Sequence, residues 1–168
     1  MPLPQKPARL MRPAWTLVLG LGLELCCGLG VLDGSPRSAE AGTLYISAQE
    51  GIAIGGYDPV SFFVAPAPLP GRSDHAVMWK GAVWMFENAE NQARFEADPR
   101  AFAPRYGGHC AYGIARGKIA SGDPLNWEIV EGRLYLFHTP RVEDLWRGDS
   151  AEMIAAAGEV WPGIMRGH

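Results

Sequence analysis

The residues with the most chemical potential in this chain lie in Arg105-Tyr106-Gly107-Gly108-His109-Cys110-Ala111-Tyr112-Gly113. Gly107-Gly108 ends a helical stretch, and the run from His109 to Arg116, closed by Gly117, reads as a short helix with Cys110 in its first turn. Free N–H groups and the helix dipole favour an anion there. They would hold a thiol below its ordinary pKa of about 8.5, making it a better nucleophile and a better soft-metal ligand. A free cysteine is equally at home as a small buried hydrophobe, and the sequence leaves both readings open.

His109 beside Cys110 makes a candidate metal pair, but adjacent side chains point to opposite faces of a strand and about 100° apart on a helix. A metal site therefore needs another ligand, and the candidates are Tyr57, Asp58, His75 and His138. None has zinc-type spacing, since the chain contains neither CxxC nor HExxH. Tyr57 and Asp58 belong to Gly55-Gly56-Tyr57-Asp58-Pro59-Val60-Ser61-Phe62-Phe63. Asp58-Pro59 there is a helix opening, with Asp as cap and Pro in the first turn, and Val60, Phe62 and Phe63 are core candidates. The alternative is that Tyr57 or Asp58 faces a ligand. His75 precedes a strand and His138 ends one, positions where a solvated or capping imidazole is the ordinary outcome.

Positioning these residues falls to two similar units at an offset of 51 residues. Met78-Trp79-Lys80-Gly81-Ala82-Val83-Trp84-Met85-Phe86 aligns with Ile129-Val130-Glu131-Gly132-Arg133-Leu134-Tyr135-Leu136-Phe137, each two apolar runs around a two-residue turn ending in Gly. That is hairpin punctuation. Helix starts follow at Asn88 and at Thr139-Pro140. A last amphipathic helix begins at Asp149, with Glu152 completing a capping box, with Met153, Ile154, Ala157, Val160 and Trp161 on one face, and with Pro162 as its stop. Hairpins enforce antiparallel pairing, so the expected class is α+β: a small antiparallel sheet built from hairpins at about 78–86 and 129–137, covered by short helices, in a single domain. Trp79, Trp84, Phe86, Phe95, Trp127, Tyr135 and Trp146 are read as core, and Ala65 to Pro70 as a stiff extended loop.

The 168 residues carry 15 basic and 18 acidic side chains, a formal charge of -3, which disfavours a basic nucleic-acid surface. Residues 1–41 read as an export signal. Lys6, Arg9 and Arg12 precede an apolar run from Trp15 to Leu23, and Ala39-Glu40-Ala41 fits a small-x-small cleavage site. Ala14 to Leu32 is long enough for a retained anchor, but Glu24 and four glycines within it argue for cleavage after Ala41. The mature domain, 42–168, would then be periplasmic or secreted. It would have lost Lys6, Arg9, Arg12, Arg37, Glu24, Asp33, Glu40, Cys26 and Cys27, leaving 11 basic and 15 acidic residues and the single cysteine Cys110. No phosphate loop, dinucleotide fingerprint or nucleophile elbow is present.

Taken together, Gly-Gly-Tyr57-Asp58-Pro59-Val60, Trp79 to Phe86, Asn88-Ala89-Glu90-Asn91, Asp98-Pro99, Phe102-Ala103-Pro104, Tyr106-Gly107-Gly108, Cys110-Ala111, Ser121-Gly122-Asp123-Pro124 and Trp161-Pro162 resemble exported bacterial YHS domain proteins. The resemblance implies a small α+β domain, metal binding (copper, for example) in some relatives, and an exported branch that includes selenoproteins. Metal-associated members carry Cys where this chain has Ser61 and Glu87. The resulting expectation is a domain binding copper, another transition metal or a small ligand near Cys110 and His109, with Tyr57 and Asp58 as companions and His75 as a further ligand. The alternatives are a thiol redox protein using Cys110, and a non-catalytic interaction module with a protein partner.

Overall fold

A computed structural model describes residues 45–166. The export-signal reading of 1–41, its cleavage site and the possible anchor lie outside them, as does His168. Among the described residues no helix is long and apolar enough to cross a membrane.

Two short strands, β1 (Ala48–Gln49) and β2 (Ile52–Ala53), lead through a 3-10 turn at Ile54–Gly56 into α1 (Ser61–Val64). β3 (Arg72–Trp79) and β4 (Ala82–Phe86) form the first hairpin. The helices α2 (Ala89–Ala97), α3 (Pro99–Phe102) and α4 (Ala111–Ala115) follow, a second 3-10 turn at Arg105–Gly108 separating the last two. β5 (Asp123–Val130) and β6 (Arg133–Phe137) form the second hairpin, and α5 (Pro140–Arg147) and α6 (Ser150–Arg166) complete the described chain. The class is α+β. The hairpins fall in separate sheets, one of order β1-β2-β4-β3 and one of β5 and β6 alone. β2 pairs parallel to β4 through Ile52 and Val83, and the other pairings are antiparallel.

Both hairpin turns have the form the sequence calls for. Trp79 pairs with Ala82 and Val130 with Arg133, and the intervening residues all have positive φ: Lys80 50°, Gly81 79°, Glu131 50° and Gly132 70°. Such two-residue turns match the right-handed twist of their strands.

β6 divides the interior. Successive side chains of a strand face opposite ways, so Leu134 and Leu136 enter one buried cluster with Trp84, Phe86 and Phe95, while Tyr135 and Phe137 enter another with Trp146, Ile114 and Ala157. Burial on both faces explains why this strand is an unbroken apolar run. The two expected helix starts follow their signals: Asn88 accepts from the N–H of Asn91 and Thr139 from that of Val142; the structure adds a third cap, Asp98, which accepts from the N–H groups of Arg100 and Ala101.

Two expectations need correction. Pro162 does not stop the last helix, which continues to Arg166. The carbonyl that loses its bond belongs to exposed Gly158, while Trp161 and Ile164 go on packing against the second cluster. The capping box is not formed: the Asp149 N–H donates to the Trp146 carbonyl at 3.0 Å, and the Asp149 carboxyl beside Glu152 raises the Glu152 pKa.

Candidate functional site

The expected site residues separate in the fold. Cys110 lies just before α4, capping it rather than occupying its first turn, and is 2 % exposed. Its N–H donates to the carbonyl of Ala120 and its carbonyl accepts from Ile114, at 2.8 and 3.0 Å. A Cβ built on Gly113 would lie 3.8 Å from Sγ, so the sulfur rests against the space that glycine leaves. His109 is 5 % exposed, with an extended backbone and its ring 5.9 Å from that of Trp161 on α6. Among the described residues no three His, Cys, Asp or Glu side chains are grouped to hold a metal ion.

Asp58 is fully buried, and its carboxylate joins two parts of the framework. Oδ1 accepts from the N–H groups of Val60 and Ser61 at 2.8 and 3.3 Å. Oδ2 accepts from Glu87 N–H at 3.0 Å and from Asn91 Nδ2 at 2.6 Å. Four donors occupy the acceptor sites a carboxylate offers. Ser61 is buried: its hydroxyl donates to the Asp58 carbonyl and accepts from Leu69 N–H, closing the proline loop. Tyr57 packs against the first cluster and bridges to Pro70. His75 lies in the edge strand β3 beside Asp74, whose pKa is lowered to about 2, chiefly by its hydrogen bond to Arg72. His138 is exposed, with Nδ1 3.0 Å from the Ser121 carbonyl oxygen.

Of three cavities among the described residues, of about 340, 320 and 450 Å³, the second is lined by His138, beside Asp123, and none of the three by the other expected site residues. A different constellation surrounds a cavity of about 340 Å³, at the lower end of the size range of small-molecule pockets. Four cationic side chains line it: Lys80 from the first hairpin turn, Arg100 from α3, Arg105 from the second 3-10 turn, and Arg133 from the start of β6. Tyr45, Trp79, Tyr106 and Trp161 supply aromatic walls, and among the described residues no acidic side chain contributes. Among the described residues Arg72, Arg94 and Arg147 are in ion pairs, and none of the four cavity cations is.

Other contacts hold these cations. The Lys80 ammonium donates to the Tyr45 hydroxyl and lies 4.7 Å from the centre of the Trp79 ring. The Arg105 guanidinium is 5.8 Å from the centre of the Tyr106 ring. Arg133 donates to the carbonyl of Arg100 at 3.3 Å, tying the second hairpin to α3. Burial, followed by their mutual charge, raises the pKa of Tyr106, and burial raises that of Tyr135; Arg105 opposes both shifts.

The backbone is strained where it presents Arg105 and Tyr106. Tyr106, Gly107 and Gly108 all have positive φ, at 55°, 62° and 84°. For a bulky aromatic that is an outlier, of a kind that collects at binding sites. Gly107 is obligatory, since a Cβ there would come within 1.7 Å of the Tyr45 carbonyl oxygen.

Sequence reasoning assigned Trp79 to the core and singled out none of the four cations. Lys80 and Arg105 each adjoin an aromatic and a glycine turn, the one local signal available. Comparison with family models, with curated proteins and with solved structures returns no match to this chain.

Proposed function

We propose that the domain is a non-catalytic binding module that takes a small anionic ligand into the cavity between the first hairpin turn, the Arg105–Gly108 turn and α6, in a compartment outside the cytoplasm. The observation that carries this reading is the gathering of Lys80, Arg100, Arg105 and Arg133 around one cavity, with no carboxylate partner and no acidic lining residue among the described residues. Unneutralised cations held in a concavity recognise anions, and guanidinium forks suit carboxylate and phosphate oxygens. The N-terminal signal pattern and the resemblance to exported YHS domain proteins support the location. The site lies apart from Cys110, the thiol on which metal or redox chemistry would depend.

The test is calorimetric titration at low salt with inorganic phosphate, citrate and succinate, with tryptophan fluorescence as a second readout because Trp79 and Trp161 line the cavity. At least one anion should bind, more weakly as salt rises. Lys80→Ala and Arg105→Ala should each weaken binding about tenfold or more, the loss expected for a charge-assisted hydrogen bond. Absence of binding by every anion, or binding indifferent to both substitutions, would refute the reading. Copper binding that disappears in Cys110→Ser, without anion binding, would replace it with the metal site.

A further inference from the structure

Resting on that reading, we infer that the ligand is a flat aromatic ring carrying two acidic groups. A bare oxyanion satisfies one or two cations and leaves the rest of a 340 Å³ cavity to water. The walls argue for a ring. Trp161 meets Tyr106 at 68° and His109 at 50°, and Trp79 meets Trp84 at 67° and Phe95 at 87°. None of these contacts is a parallel stack, and while the Lys80 ammonium lies over Trp79, no cation lies over the Trp161 ring among the described residues, so Trp161 is the cavity wall against which another ring can stack.

The charge argues for two acidic groups. Four cations line the cavity with no acidic side chain from the described residues, so one carboxylate leaves most of that charge unbalanced. Glu131, in the turn before Arg133, is close enough to act on Tyr135 but forms no ion pair with any of the four, and a positive excess remains.

Benzene-1,4-dicarboxylate and trans-cyclohexane-1,4-dicarboxylate carry the same charge on a flat and on a saturated ring, and titration of the full chain with each isolates the ring. Benzoate tests the second charge, and phosphate tests anion binding without a ring. The aromatic dianion should bind about three- to tenfold more tightly than its saturated counterpart, the range expected for one aromatic pair, and about tenfold or more above benzoate. Trp161→Leu should erase the preference for the aromatic ring, so that the two dicarboxylates bind that variant with equal affinity; if that variant does not fold, the comparison on the wild-type chain decides. Equal affinity for the two dicarboxylates, or binding of phosphate alone, would overturn the inference and leave the anion-binding reading in place. Failure of all four compounds would overturn the inference, and failure of citrate and succinate as well would remove the anion-binding reading.

Discussion

Replacing Asp58 by Ala tests whether this carboxylate serves the framework or a ligand. The side chain is fully buried and holds four donors, two within its own turn and two across the fold. Loss of the local pair resembles loss of a helix cap, about 1 kcal/mol. The N–H of Glu87 and the amide of Asn91 would each lose a charged acceptor, and a buried donor left unmet costs about 1–3 kcal/mol. Some relaxation toward water at the partly exposed Glu87 end lowers the sum, so the expected destabilisation is about 3–5 kcal/mol, a large share of a small domain's total of about 5–15. Urea unfolding followed by tryptophan fluorescence gives the number. Asp58→Asn should cost less, because its oxygen can still cap Val60 and Ser61, though its amide then faces two donors. Any Asp58→Ala protein that remains folded should bind anions as the wild type does. A loss below about 1 kcal/mol, or a selective loss of ligand binding at unchanged stability, would show that the carboxylate is not the structural clasp described here.

Two further outcomes follow from burial. Cys110 at 2 % exposure should resist alkylation in the native protein and react at the rate of an ordinary thiol once urea unfolds the chain; rapid native-state labelling would restore the redox reading. Burial raises the pKa of Glu143 above its unfolded value, against the opposing charge of Arg147. The folded state then holds the proton more tightly, so stability from this group is fully present below the ordinary carboxylate range and is lost as pH rises through the folded pKa. The stability difference between wild type and Glu143→Gln should accordingly fall with rising pH across that window, and a difference that rises or stays flat would contradict the assignment.

Much of the architecture was legible because it rests on local chemistry. Glycine at the second position of each two-residue turn, side chains ready to cap at 88 and 139, and an apolar run at 134–137 determine structure over a few residues, and each appears where the pattern puts it. Pro162 misled because the usual cost of a proline within a helix falls here on the solvent side, while tertiary packing continues on the other. Asp58 had a capping signature, and its Oδ1 caps as expected. Its second oxygen reaches Glu87 and Asn91, 29 and 33 residues away, where no spacing rule extends.

The candidate site was less legible for a related reason. A thiol at a helix start is a local signal, and attention to it led to Cys110, which the fold buries beside Gly113. The cavity depends on side chains whose convergence is set by long-range pairing: β6 brings Arg133 to the backbone of Arg100, and Gly107 permits the chain to pass against Tyr45. Nothing about arginine at 100, 105 or 133 taken singly distinguishes it from a solvated surface charge. The difference is visible only where they meet: Arg72, Arg94 and Arg147 have carboxylate neighbours on their own strand or helix, whereas Lys80, Arg105 and Arg133 rest on aromatic rings, a hydroxyl and a backbone carbonyl and line one cavity with Arg100. In a domain with more acidic than basic residues, four cations left without carboxylates at one concavity are a local concentration of unneutralised charge, and that is the physical basis for placing a ligand there.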